Sequence, residues 1–400
     1  MHETITAPTP SEKTLPYAWV ILVVVYLASV AAPFNQFKVP PLIPVLLDFF
    51  PIDLTQAGLL MSSFAAVGAL LAIPAGIILQ RFGPKLIVIL AMGGLACGSA
   101  LGALADSFPI LLAGRVLEGV GMGLIGVAAP ATIALWFPPS RQGTPMGIWA
   151  TWVPLGSILM YNLSPLMAAQ FGWQSVWWAG MVFALTMAIF SGLLLRRPPQ
   201  PVQIPTQETR QSQTWKSLFN RDILFLAGSF TLFNLALVNI ATYYPTFLNQ
   251  VRGLTLSQAS FVTSISGFVI MISSPLSGWV SDRLNSRKLV FTFPYLVLAV
   301  ILIFPFHVTG WQITALMIAY GFVLGFIPTA IFAAAPEVMR RPELAGMGMA
   351  ILLLGQNVGQ LFGPVLFGSL VLSSGWASAG LWLVPICLLA FLSGRQVRVR

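Results

Sequence analysis

Long apolar runs separated by short polar breaks dominate these 400 residues. The runs do not alternate in twos, as the strands of a membrane barrel would. Several approach the ~20 apolar residues a helix needs to cross a bilayer core. Twelve such runs fall near residues 17–40, 54–79, 86–104, 110–136, 144–168 and 175–195, then 222–248, 256–280, 289–306, 313–335, 346–372 and 378–392. We number them spans 1 to 12 in chain order.

The breaks organise the chain. Residues 196–221 carry Pro198, Pro199, Pro201 and Pro205 among several glutamines, which marks an extended linker and not a span. Residues 1–15 are polar and lack the basic start and short apolar core of a cleaved leader, so they read as a cytoplasmic tail. The expected organisation is this tail, a six-helix bundle over 16–195, the linker over 196–221, a second six-helix bundle over 222–394, and a basic tail over 395–400.

The two halves repeat. Gly76-Ile-Ile-Leu-Gln-Arg-Phe-Gly-Pro-Lys85 returns, altered, 202 positions later as Gly278-Trp-Val-Ser-Asp-Arg-Leu-Asn-Ser-Arg-Lys288. Met146-Gly147 recurs as Met347-Gly348, and Trp173 is echoed by Trp376, at almost the same offset. A shared offset across three anchors indicates a duplicated unit.

Composition narrows the solvent. The chain is 57% hydrophobic and 8% charged, against about 25% charged in an ordinary soluble domain. Lipid offers no hydrogen bonds, so the expected class is an all-α polytopic membrane protein. The net charge of +9 is a matter of topology and not of nucleic-acid binding. With the N-terminal tail inside, seventeen of the 20 lysines and arginines fall on that same face, leaving Lys38, Arg115 and Arg252. By the positive-inside rule both termini are cytoplasmic, in a plasma (inner) membrane. Cys97 and Cys387 lie within apolar runs, and no Cys/His cluster suggests a metal or other cofactor.

The loops and helices with signatures resemble the major facilitator superfamily of secondary transporters. The loop after span 2 is similar to that family's glycine, acid, Arg-x-Gly-Arg-basic signature. The second copy matches better, through Gly278, Asp282, Arg283, Arg287 and Lys288, whereas Gln80 stands in place of the acid in the first. Arg115-Val-Leu-Glu118-Gly119-Val-Gly121 in span 4 is similar to a second signature. The antiporter signature of span 5 is only half present, as Val153-Pro154-Leu155-Gly156. The resemblance implies twelve transmembrane helices in two pseudo-symmetric six-helix bundles around a central cavity, rocking by alternating access. It implies that spans 1, 4, 7 and 10 line the cavity, and that Arg81, Lys85, Asp282, Arg283 and Arg287 act as cytoplasmic latches. Among subfamilies the chain resembles carriers of small anions of the cyanate, nitrate or monocarboxylate kind.

Polar groups inside apolar helices are candidate site residues. Span 1 offers Asn35, Gln36 and Lys38; Lys38 either snorkels to the surface or lines the outer cavity as a cation. Span 4 offers Arg115 and Glu118, three apart on one face, as a structural pair or a proton-coupling pair. Span 5 offers Trp149, Trp152 and Tyr161; span 7, Asn239 and Tyr243; span 10, Tyr320; span 11, Gln356, Asn357 and Gln360. Two cations against one embedded acid favour an anionic small-molecule substrate moved with protons as the coupling ion. The same aromatics would serve a competing function, efflux of apolar or aromatic compounds. A lipid-modifying enzyme would need a nucleophile–base set that the spans lack. The expected partners are the bilayer, the small anion and protons, without nucleic acid, for a chain acting as a monomer.

Overall fold

The structure is a computed structural model that describes residues 15–138, 141–196, 220–339 and 345–399. Among these residues every regular element is helical. Residues 197–219 of the expected 196–221 linker and residues 1–14 of the expected 1–15 tail lie outside the described residues, as do Arg340 and Arg341.

Nine helical stretches are long and apolar enough to cross a membrane by length and composition. The other three expected spans are present in shorter or broken form. Span 5 consists of Gly143–Trp149 and Trp152–Phe171, parted at Ala150 and Thr151. Span 9 is a short helix, Arg287–Ile301, continued by turns to Phe306. Spans 11 and 12 run together as Ala345–Leu381, broken at Gly375 with φ 79°, and span 12 ends as Leu383–Arg395. Span 1 is Pro16–Gln36, extended past a turn at Pro40–Leu42 by Ile43–Phe49. The remaining spans are Leu54–Phe82 (2), Pro84–Ala103 (3), Phe108–Trp136 (4), Gln174–Leu194 (6), Arg221–Gln250 (7), Leu256–Leu284 (8) and Trp311–Met339 (10).

The duplication read from three sequence anchors extends to backbone detail. Span 2 starts with a capping box, Asp53 with Gln56, and span 8 starts with Thr255 and Gln258, 202 residues on. In each box the capping side chain accepts the N–H of the residue three positions on, while that residue's side-chain oxygen accepts the capping residue's N–H, which satisfies two orphan donors. Span 2 ends at Gly83 (φ 80°) and span 8 at Asn285 (φ 48°), again 202 apart. Positive φ is cheap for glycine and tolerable for asparagine.

Packing repeats as well. Span 1 packs on spans 5 and 6 as span 7 packs on 11 and 12; span 2 packs on 4 as 8 on 10; span 3 packs on 4 and 6 as 9 on 10 and 12. Between the halves, span 2 meets span 11 and span 8 meets span 5, a reciprocal pair that a two-fold axis requires. Glycines make the closest crossings. A Cβ on Gly119 would come within 2.8 Å of the Phe64 carbonyl oxygen, and one on Gly321 within 2.5 Å of that of Ser266. Small residues at such crossings are how helices associate in lipid, where no hydrophobic force drives them together.

Candidate functional site

Span 1 ends at Gln36, and its last carbonyls have no helical partner. Arg115 from span 4 fills that role. Its Nη1 donates to the Asn35 carbonyl oxygen at 2.7 Å and its Nη2 to that of Gln36 at 3.4 Å, while Nε donates to the Leu60 carbonyl oxygen in span 2 at 2.9 Å. Nη1 also pairs with Glu118 one turn along span 4. One guanidinium thereby ties three spans together, a task its planar fork suits.

Lys38, just beyond the end of span 1, turns back into the same place. Its Nζ donates to Glu118 Oε1 at 2.5 Å, to Asn35 Oδ1 at 2.9 Å and to Ser99 Oγ of span 3 at 2.9 Å. Ser99 Oγ lies 2.7 Å from both Asn35 Oδ1 and Glu118 Oε1, so its single proton can serve either. The Trp177 ring of span 6 covers Nζ at 4.7 Å, and the Phe64 ring covers the guanidinium at 4.6 Å. Asn35, Lys38, Ser99, Arg115 and Glu118 are all 0% exposed. Gly98 and Gly180 make room, since a Cβ on the first would come within 2.7 Å of Glu118 Cγ and on the second within 2.2 Å of Asn35 Oδ1. The cluster lies about 10 to 15 Å along span 4 from its Phe108 end, at 1.5 Å per residue.

Asn35, Lys38 and Arg115, candidate substrate-binding residues, do not line an open wall here, and Arg115 and Glu118 form the pair their spacing suggests. In this structure they are sealed within the first half, each satisfying the others. Lys38 does not snorkel either. The cause is charge: Glu118 lies within reach of both cations, and an isolated buried charge costs far more than a partnered one. Gln36 is nearly buried beside them.

Tyr161 and Tyr243 also sit away from an open wall. Tyr161 donates to the Ala241 carbonyl oxygen across the interface between halves. Asn162 donates to Ser264 Oγ at 3.2 Å. Tyr243 places its hydroxyl 2.8 Å from the Leu54 carbonyl oxygen and 2.7 Å from that of Pro364. These three cross-links among the described residues all lie in the half of the molecule remote from the 196–221 linker. There Gly58 and Gly368 form a notch around the Tyr243 hydroxyl, where a Cβ would come within 2.5 and 2.7 Å of it. These tyrosines hold the halves together at that face.

The other polar candidates fall on the second half and on span 5. Asn239 is buried with Nδ2 on the Leu235 carbonyl oxygen and Oδ1 without a partner. The Tyr320 hydroxyl is buried without a partner. Gln360 donates to Asn234 Oδ1 at 3.4 Å, joining spans 11 and 7, and Asn357 donates to its own helix at Leu353. Gln356 is half-buried beside them. Trp149 and Trp152 stack at 5.5 Å between centroids, flanking the break in span 5. Trp149 Nε1 donates to Ser29 Oγ at 3.0 Å, and Tyr26 and Thr151 share a hydrogen bond at 2.8 Å, so span 1 holds both sides of the break.

The loop cations bind within each half. Lys85 donates to the Gly192 carbonyl oxygen at 2.5 Å, joining spans 3 and 6. Arg287, its counterpart 202 residues on, donates to the Ala333 carbonyl oxygen and pairs with Glu337 at 2.9 Å. Asp282 and Arg283, expected to clasp a neighbouring helix end, are exposed, and Arg283 instead lies over the Trp279 ring at 5.1 Å. Arg81 lies over Phe82 in the same way. Sequence reading missed Glu337, whose only signal is an acid near the end of span 10. It also missed Ser99, one serine in an apolar helix on a span not expected to contribute.

Comparison with known proteins agrees with this architecture. The family profile described as Major Facilitator Superfamily matches residues 25–349. The chain is 27% identical to the hexuronate transporter of Bacillus subtilis, over 92% of this chain and 89% of that protein. It is 23% identical to a probable sulfoacetate transporter of Cupriavidus necator, over 89% and 87%, and 21% identical to the D-galactonate transporter of Escherichia coli, over 86% and 87%. Its fold is similar to the crystal structure of a bacterial homologue of the human lysosomal transporter Spinster, with a TM-score of 0.81 at 16% identity, covering 96% and 98% of the two chains. Two six-helix halves related by one repeat, and a profile match over most of the length, make this chain a member of the Major Facilitator Superfamily.

Proposed function

We propose that this protein is a secondary carrier of a small organic anion, working by alternating access and coupled to protons. The observation that carries the reading is the buried cluster: Lys38 and Arg115 against Glu118, a net single positive charge without exposure to water. In this reading the charge attracts an anion when rocking of the halves gives access to the cluster, and a dry surround strengthens that attraction. The named substrates of the similar carriers, a hexuronate, sulfoacetate and D-galactonate, are acids of this size. The second half adds neutral hydrogen-bonding groups, Asn234, Asn239, Tyr320, Gln356 and Gln360, suited to hydroxyls. We read the substrate as a hydroxylated monocarboxylate, held by charge from one half and by hydrogen bonds from the other.

In this reading both termini are cytoplasmic in a plasma (inner) membrane and the working unit is a monomer. The face closed by Tyr161, Asn162 and Tyr243 is the outer one, and the carrier stands open to the cytoplasm. Binding at the cluster loosens the outer seal as the halves rock, with Lys85 and Arg287 keeping each half rigid. The test is uptake of labelled D-galactonate, glucuronate and sulfoacetate into proteoliposomes with and without an inward proton gradient. Gradient-driven accumulation of one of them is expected; no exchange of any of the three rejects the reading. One observation favours a second reading, efflux of flat apolar compounds: the stacked Trp149–Trp152 pair, with Trp149 half-buried. Dye extrusion without anion exchange would select it.

A further inference from the structure

Proton coupling assigns a proton to some group, and span 4's carboxylate is the obvious one. The geometry points elsewhere. Glu118 accepts from Lys38, Ser99 and Arg115 at once. A proton on Glu118 would leave two cations facing a neutral acid in a fully buried cluster. Like charges a few ångströms apart repel strongly where the surroundings are dry. Removing a proton from Lys38 does the opposite: it leaves one Arg115–Glu118 pair, a neutral cluster.

The hydrogen bonds permit that change. Charged, Nζ has three protons for three acceptors: Asn35 Oδ1, Ser99 Oγ and Glu118 Oε1. Neutral, it keeps two donors and gains a lone pair. Ser99 then turns its hydroxyl from Asn35 or Glu118 onto Nζ, and no polar atom is stranded. Guanidinium has no such second state, because Arg115 does not deprotonate in proteins. From span 4, Lys38 is faced by Glu118 and Arg115, from span 3 by Ser99, from span 6 by the Trp177 ring, and from its own span by Asn35. Among the described residues these three are the buried charges of the first half.

The placement of Lys38 joins it to the motion. Two residues on, the chain enters the Pro40–Leu42 turn, which packs against spans 7 and 8 of the other half as well as span 5 of its own. Rocking of the halves therefore pulls on the segment that carries Lys38.

We propose that Lys38, and not Glu118, carries the coupling proton. The inference rests on the anion-carrier reading above. With a monoanion bound and Lys38 protonated, cluster plus substrate is neutral; empty with Lys38 deprotonated, the cluster is neutral again. The empty charged form and the loaded uncharged form each leave one unbalanced charge, and these do not cross. On release to the cytoplasm the Nζ–H bond breaks, its electron pair stays on nitrogen, and the proton leaves to water with the anion. One proton accompanies each monoanion, and the cycle moves no net charge.

The experiment compares wild type with Lys38→Arg in proteoliposomes, using labelled D-galactonate, glucuronate and sulfoacetate. Arginine stays charged and carries no titrating proton, so the ratio of gradient-driven accumulation to anion exchange is expected to fall at least tenfold, whatever exchange itself loses. Lys38→Arg accumulating as wild type does would overturn the inference, as would wild-type uptake of the monoanions D-galactonate or glucuronate that rises with an imposed membrane potential. Failure of wild type to move any of the three anions counts against the carrier reading instead. Should the arginine not fit, a protein with Lys13, Lys85, Lys216 and Lys288 changed to Arg keeps Lys38 as its sole lysine. Nitrogen NMR of that side chain needs no substrate. An ammonium-to-amine transition within the folded pH range is expected, and an ammonium signal throughout that range refutes the proposal.

Discussion

Glu118 in span 4 and Tyr320 in span 10 occupy equivalent places in the two halves, 202 residues apart, each followed by a glycine against which a neighbouring span presses. One turn earlier, Arg115 corresponds to Met317 at the same offset. The duplicated scaffold thus holds an ion pair in one copy and a methionine with a lone hydroxyl in the other. The Tyr320 hydroxyl is buried without a partner, while every member of the first copy's cluster has several.

An unpartnered hydroxyl gains a bond if a substrate reaches it. Tyr320→Phe should raise the half-saturating concentration of the transported anion about five- to tenfold, the worth of one ordinary hydrogen bond. Thermal unfolding should stay put or rise slightly. Uptake kinetics with a melting curve on the same preparation read both quantities.

Arg115 holds backbone carbonyls of spans 1 and 2 as well as Glu118. Removing it strands the Asn35 and Gln36 carbonyls at the end of span 1 and leaves Glu118 only Lys38 and Ser99. Arg115→Ala should destabilise the first half by about 3–5 kcal/mol and abolish transport. Arg115→Lys should recover part of the stability and little transport, because a point charge cannot reproduce the fork. Denaturant unfolding with an exchange assay distinguishes the two variants.

The notch around Tyr243 gives a way to open the sealed face. Gly58→Ala puts a methyl within 2.5 Å of the Tyr243 hydroxyl and 2.6 Å of the Pro364 carbonyl oxygen. Overpacking of this kind costs typically 1–3 kcal/mol. Because the clash exists only when the halves are closed there, the equilibrium should move toward separation at that end. Spin labels on spans 2 and 11 near that face should report a longer mean distance, and Tyr243→Phe should act in the same direction more weakly.

Arg287 and Glu337 are partly exposed, at 33% and 40%. An ion pair so placed is worth about 0–1 kcal/mol. Glu337→Gln should therefore lower the melting temperature by little and leave the balance between open states unchanged. A large shift in that balance would show that the pair acts between the halves.

The architecture was legible because its signals are long and repeated. Runs near twenty apolar residues, one face rich in Lys and Arg, and a 202-residue offset each survive errors at single positions. Span ends were less so: hydropathy alone does not register the turns at Pro40 and past Ile301. The site was half legible. Arg115 and Glu118 stood out as charges in an apolar helix. The rest of their cluster did not, because it depends on Lys38 folding back from a different span and on Ser99, which looks like any small residue of a tightly packed helix. Tyr161 and Tyr243 illustrate the remaining ambiguity. A polar aromatic on a central helix serves a substrate or a seam equally well until the opposite half is in place.

Span 9 carries a consequence for the surroundings. Its fifteen helical residues reach about 22 Å, short of the ~30 Å hydrocarbon thickness of a typical bilayer. Leu289, Phe293, Leu296 and Val300 form one exposed apolar stripe on it, prolonged by Ile303 and Phe304 in the following turns. Acyl chains along that flank must compress to match a stripe this short, at some fraction of a kcal/mol per ångström. Thinner membranes therefore relieve a local strain on one side of the second half, making acyl-chain length a physical variable in how easily that half tilts.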